Sequence, residues 1–196
     1  MRRILLHACC GPCSTHCVRA LREAGREPVL FYSNSNIDTP EEWDKRLAAL
    51  RTFADAEGVE LVVDPWDGET WERSVAAGFE GEREGGKRCD RCFLHNLSRA
   101  AAAAASLGVE SFSTTLTVSP HKSSPRVFAA GRAAAAAAAP APGGGAGPVF
   151  EEFDFKKKGG FLESVALARR FGLYRQNYCG CRFSKAEAAA RGDKAK

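Results

Sequence analysis

Between Leu5 and Cys17 the chain reads LLHACCGPCSTHC, placing four of its eight cysteines, Cys9, Cys10, Cys13 and Cys17, within one short stretch. The others come in two close pairs, Cys89 with Cys92 and Cys179 with Cys181. A chain of 196 residues buries a core of its own and needs no disulfide staples, so this clustering points to metal binding or redox catalysis.

Three chemistries compete for these sulfurs. Cys10-Gly11-Pro12-Cys13, after a strand and before a helix, has the spelling and context of a thioredoxin-type dithiol, in which a helix N-terminus lowers a thiol pKa. The preceding Cys9, the lack of a tryptophan before the motif and the two further pairs count against that thiol-disulfide oxidoreductase reading. Cys89-Asp90-Arg91-Cys92 is a C-x-x-C knuckle fit for tetrahedral zinc, but its partner would have to be the adjacent Cys9-Cys10. Adjacent cysteines suit an iron–sulfur cluster, whose irons are separate corners, and Cys9, Cys10, Cys89 and Cys92 supply the four thiolates of a [4Fe–4S] centre. Gly11-Pro12 then reads as the turn that lets the adjacent thiolates face it.

Cys179-Gly180-Cys181 has two readings that its spacing leaves open. A disulfide across one residue is strained and labile, hence redox-active; alternatively both sulfurs bind a second metal, with Asp64 or Asp67 as a further ligand. Cys13 and Cys17, four apart on one face of a predicted helix, read as small buried side chains outside the metal shell. For substrate, TTLTVSPHKSS at 114–124 offers Thr114, Thr115, Ser119, His121 and Lys122 to a phosphate or nucleoside. Phe153-Asp154-Phe155-Lys156-Lys157-Lys158 suits a nucleic-acid backbone, with Lys156 and Lys157 as contacts. Tyr178, with Arg175 and Gln176 beside it, completes the substrate-binding set.

These groups must be positioned by the elements between them. Apolar, β-branched or aromatic segments at 2–8, 28–33, 59–64, 109–116 and 148–155 alternate with helical stretches at 14–24, 40–57, 69–77, 91–107, 120–138 and 160–171. That alternation predicts a mostly parallel sheet with helices on both faces, an α/β Rossmann-like fold. Ligands of such sheets sit beyond the strands' carboxyl ends, where Cys9 and Cys10, Asp64, the 114–122 loop and 154–158 would meet. Residues 1–185 read as one catalytic domain. The Ala/Pro/Gly run 133–148 is a helix end plus connector, and 186–196 is a frayed or disordered tail.

The net charge of +4 permits a polyanionic partner without requiring one. No apolar run reaches membrane-span length and no leader pattern opens the chain, so we expect a soluble, cytoplasmic protein with no membrane partner.

Taken in order, LLHACCGPCS, FYSNSNI, EGGKRCDRCF, TTLTVSPHKS, DFKKKGGF and LYRQNYCGCRFS resemble the cobalamin-independent epoxyqueuosine reductases over nearly the whole chain, 4 to 184. The resemblance implies reduction of epoxyqueuosine to queuosine at the tRNA wobble position, the last step of queuosine biosynthesis. It also implies a [4Fe–4S] cluster on Cys9, Cys10, Cys89 and Cys92, room for one additional mononuclear iron, and Cys179 with Cys181 as redox pair or second-iron ligands. The fold it implies is similar to that of the adenine-nucleotide hydrolase and ATP-pyrophosphatase group. The partners are then tRNA carrying epoxyqueuosine in its anticodon and an unidentified electron donor. The competing function is a zinc-stabilised tRNA-binding protein. ATP-dependent thiolation is disfavoured because ACCGPCS replaces the Ser/Gly-rich phosphate loop that reaction needs.

Overall fold

The computed structural model describes residues 1–138 and 146–192. Among these residues five parallel strands, β1 (Arg2–His7), β2 (Arg26–Tyr32), β3 (Leu61–Val63), β4 (Ser111–Thr114) and β5 (Val149–Phe150), form one sheet in the order β3-β2-β1-β4-β5. β1 is central, and its residues Ile4 to His7 are buried on both faces, as a continuous apolar run in a covered parallel strand should be. The period of two sorts them: Ile4 and Leu6 pack with Leu30 and Tyr32 on one face, while Leu5 packs with Val29, Phe31 and Phe112 on the other.

Among the described residues there are seven α-helices: α1 (Gly11–Glu23), α2 (Pro40–Glu57), α3 (Gly68–Trp71), α4 (Lys87–Ser106), α5 (Ser124–Ala137), α6 (Gly160–Arg170) and α7 (Arg182–Ala190). α1 and α2 cover the first face through Val18, Leu21, Leu47, Leu50 and Phe53; α4 and α5 cover the second through Phe93, Leu97, Ala104 and Val127. The expected α/β fold with helices on both faces is therefore present. α2 has its expected bounds for the expected reason: Thr39 accepts the Glu42 N–H, Pro40 opens the helix and Gly58 closes it at φ 61°.

Departures fall where side chains satisfy the backbone in place of a ladder. The strand expected at 109–116 stops at Thr114, whose hydroxyl accepts the Leu116 N–H and starts a 3-10 turn over Thr115–Val118. The strand expected at 148–155 pairs only at Val149 and Phe150, because Ser113 and Thr117 hydroxyls then take the carbonyls of Glu151 and Phe153. The helix expected at 69–77 is one α turn continued by a π turn, Glu72–Ala76. Gly11 and Pro12, read above as a turn, are the first two residues of α1. Of the run 133–148, α5 occupies the stretch to Ala137 and residues 139–145 lie outside the described residues. Of the tail 186–196, α7 continues to Ala190 with Ser184 and Ala188 buried, and 193–196 lie outside. No helix among the described residues is long and apolar enough to cross a membrane.

Candidate active site

The carboxyl ends of β1, β2 and β4 open into a cavity of about 660 Å³, a size suited to a small-molecule ligand. Cys9, Cys10, Cys13, Cys92 and Cys179 all line it, so cysteines from both ends of the chain converge there. All eight cysteines are free thiols.

The sulfurs of Cys9, Cys10 and Cys13 lie within 4.8 Å of one another. Cys10 is the N-cap of α1, and Cys13, three residues on, projects over the same face of the first turn. Cys13 is expected outside the metal shell; the helical start at Gly11 brings its sulfur beside those of Cys9 and Cys10, while Cys17, a turn further, is in the core as expected. Within the triad the proton sharing is unequal. Cys10 is held well below the ordinary thiol range by hydrogen bonds from Cys13 and then Cys9, which outweigh burial. Cys13, the donor, is pushed well above it, and Cys9 is also raised, chiefly by its contact with Cys10.

Thr115 fixes Cys9 twice, accepting its N–H at 3.1 Å and donating its hydroxyl to the sulfur at 3.3 Å. Thr114 bonds His7 Nδ1 at 2.9 Å, and His7 Nε2 meets the Ser33 carbonyl at 3.0 Å. Both threonines are fully buried and face protein, so their part is to hold the strand ends in place.

Cys89 and Cys92 stand on the first two turns of α4, with the Gly85 N–H at 3.2 Å from Cys89 Sγ and the Trp71 indole N–H at 3.4 Å from Cys92 Sγ. Burial pushes both thiols up, and the sulfurs of Cys179 and Cys181 add to the rise. Cys181 is the N-cap of α7 and accepts the Ser184 N–H at 3.5 Å. The C-terminal pair thus sits against the α4 pair.

Ser119, His121, Lys122, Arg175, Gln176 and Tyr178, the residues offered to substrate by the sequence, line the cavity. Lys122 carries its charge there: burial works against the ammonium, but the sulfurs of Cys179, Cys9 and Cys13 outweigh it and hold the group above the ordinary lysine range. Gln176 reaches the Cys10 thiol, while its Oε1 is buried with no partner among the described residues. Lys156 and Lys157 lie off the cavity; the Lys156 ammonium instead caps the Lys122 carbonyl. Asp64 and Asp67 are not brought to the sulfurs. Asp64 is bound by Ser33 at 2.6 Å and by Arg99, and Asp67 caps α3 through the Thr70 N–H.

Four cavity asparagines lie outside the sequence expectations: Asn34, which ties to the Ala8 carbonyl at 2.9 Å, Asn36 and Asn96, which bond each other at 3.2 Å, and Asn177. For Asn34 and Asn36 the signal is SNSN at 33–36, directly after β2, where a parallel sheet presents its ligand loops; Asn96, on α4, has none.

A parallel α/β sheet whose strand ends gather cysteines and buried amides around one cavity is Rossmann-like in architecture, with its ligand site where such folds keep it. Comparison with known sequences narrows the class: the family model described as "Epoxyqueuosine reductase QueH" matches residues 4–187, and the chain belongs to that family. It is similar to the epoxyqueuosine reductase QueH of Thermotoga maritima, 34% identical over 190 residues, covering 95% of this chain and 92% of the relative. The enzyme of that name from Streptococcus pyogenes is 32% identical over 184 residues, covering 91% and 68% respectively, and that of Dehalococcoides mccartyi is 31% identical over 186 residues, covering 94% and 93%.

Proposed function

We propose that this chain is an oxidoreductase that deoxygenates epoxyqueuosine at the wobble position of tRNA, the last step of queuosine biosynthesis, in the cytoplasm. The observation that carries the reading is the convergence of cysteines from α1, α4 and the segment before α7 on one cavity, in a chain of this family. The overall chemistry is epoxide plus two electrons and two protons, giving alkene and water.

The donor set fits an iron–sulfur centre. Soft thiol donors crowd the cavity, three sulfurs are already within 4.8 Å of one another, and none is tied up in a disulfide. Cys9, Cys10, Cys89 and Cys92 would hold a [4Fe–4S] cluster, with Cys13 beside them. When bound, such a cluster supplies electrons singly.

The remaining steps belong to the chain's own groups. Lys122, cationic in the cavity, hydrogen-bonds the epoxide oxygen and stabilises the charge that grows as its C–O bonds break. Gln176 offers its unpartnered Oε1 to a substrate N–H or O–H. Tyr178, anchored to Asp38 at 3.0 Å, gives one wall of the cavity for a flipped base. Cys179 and Cys181 store an electron pair as dithiol and disulfide.

The test is anaerobic iron and sulfide analysis joined to a deoxygenation assay on epoxyqueuosine-containing tRNA. Iron with sulfide and turnover are expected; a colourless protein with about one zinc per chain and no turnover would refute the reading. Cys179→Ser and Cys181→Ser are expected to keep their metal and lose turnover. Loss of iron in either variant would instead make the pair metal ligands.

A further inference from the structure

Arg46, in the middle of α2, is among the largest fully buried side chains of the protein. Its Nε donates to Glu42 Oε1 at 2.7 Å, its Nη1 donates to the Cys179 carbonyl at 2.8 Å, and its guanidinium carbon stands 4.9 Å from the centre of the Tyr178 ring. Glu42 is held in turn by the Tyr174 hydroxyl at 3.0 Å. The next residue, Gly180, has φ +147°, gives its carbonyl to the Asp38 N–H at 3.0 Å, and would place a Cβ 3.2 Å from Arg46 Nη1 and 2.9 Å from Asn36 Nδ2.

A buried guanidinium is a poor device for stability, because an apolar side chain of similar volume fills the same space without the desolvation cost. Here the cost is not fully offset either, since Nη2 is buried without a partner among the described residues. What the arginine does that an apolar residue cannot is grip the backbone between Tyr178 and Gly180 from behind, while Cys179 faces the cavity.

We propose that Arg46 is a positioning residue for the Cys179/Cys181 pair, fixing the Cys179 carbonyl and the Tyr178 ring and so setting the approach of the two sulfurs. The inference rests on the pair's part in the reaction and adds the residue that arranges it. The step it governs is Cys179–SH plus Cys181–SH plus oxidised glutathione going to the Cys179–Cys181 disulfide plus two reduced glutathiones. One S–S bond breaks, one forms, and both thiol protons leave with the glutathione.

Arg46→Lys keeps the charge but loses the planar fork whose separate nitrogens, Nε and Nη1, hold Glu42 and the Cys179 carbonyl in one fixed geometry. Glu42→Gln leaves Arg46 in place on a weaker anchor. Anaerobically purified wild type and both variants are equilibrated in a glutathione series, and the pair is read by alkylation and mass spectrometry. The reduced proteins are also labelled with iodoacetamide at fixed pH and followed at Cys179. For Arg46→Lys the oxidation constant is expected to fall about tenfold, a shift of about 30 mV, with several-fold faster labelling of Cys179; Glu42→Gln is expected to move both the same way by less.

Folded variants with the wild-type constant and labelling rate overturn the proposal, even if they melt at lower temperature. If Arg46→Lys does not fold, Glu42→Gln decides by the same two readouts. If the wild-type pair never oxidises in the series, its redox role fails. Arg46 is then judged by Cys179 labelling alone, unchanged labelling overturning it.

Discussion

Gly11 tests how the sulfur triad is built. A Cβ placed there would lie 2.7 Å from the Ala49 carbonyl oxygen, 2.8 Å from its carbon and 3.0 Å from the Leu50 nitrogen, all backbone atoms of α2. No side chain can rotate out of the way, and α2 is locked in the core by Leu47, Leu50 and Phe53. In Gly11→Ala the first turn of α1, which carries Cys10 and Cys13, must therefore retreat. Overpacking against backbone sits at the upper end of the usual range, about 3 kcal/mol, and the helix preference of alanine over glycine returns at most about 1 kcal/mol, leaving about 2 kcal/mol. For a chain of this size that lowers Tm by roughly 4–8 °C. The assay is thermal unfolding by circular dichroism under reducing conditions, with bound iron per chain as a second readout, and Gly81→Ala, which meets nothing within 4 Å, as control. A Gly11→Ala protein that melts with wild type and binds iron normally would refute the close approach of the two helices.

Two further outcomes follow from buried hydrogen bonds. Thr115→Val leaves the Cys9 N–H without its acceptor and the sulfur without its donor, and is expected to cost about 1–3 kcal/mol in denaturant unfolding; a loss below the error of the measurement would rule out the double contact. His7, held below the ordinary imidazole range by burial, stays neutral in the fold while its unfolded counterpart takes up a proton near pH 6.5. Stability is then fully present above that pH and declines as pH falls from about 6.5 toward the lowered native value. Tm measured from pH 7.5 to 5.5 should drop, and His7→Gln should flatten the slope; an unchanged slope would discount His7.

The parts of this structure that were legible are those encoded locally. Thr39-Pro40-Glu41-Glu42 and Gly58 bound α2, and the alternation of Ile4, Leu5 and Leu6 shows a strand buried on two faces. The cysteines announce themselves by clustering. Other features depend on contacts distant in sequence. Arg46 in PEEWDKRLAALRTF looks like a solvent-facing charge, and only the docking of residues 178–180 against α2 buries it. Arg88 is likewise buried, giving Nη1 to the Phe79, Glu80 and Glu82 carbonyls and stacking on Phe183 at 4.0 Å. Asp64 and Asp67 follow a strand end, as ligands often do, but Arg99 and the Thr70 N–H had stronger claims on them. Cys13 comes to lie beside Cys9 and Cys10 because α1 starts at Gly11, three residues before the start expected at 14.

The order β3-β2-β1-β4-β5 puts β1 at the centre of the sheet, so Cys9 and Cys10 are made well before the strand β4 beside them and longer still before the Cys179–Cys181 segment that completes their surroundings. At about 5–20 residues per second, a nascent chain carries a half-built nest of thiols for roughly ten to thirty seconds before α7 can dock. The cysteine-lined cavity is thereby complete only once the Cys179–Cys181 segment is in place, and a chain truncated before residue 179 would leave the remaining sulfurs without that wall.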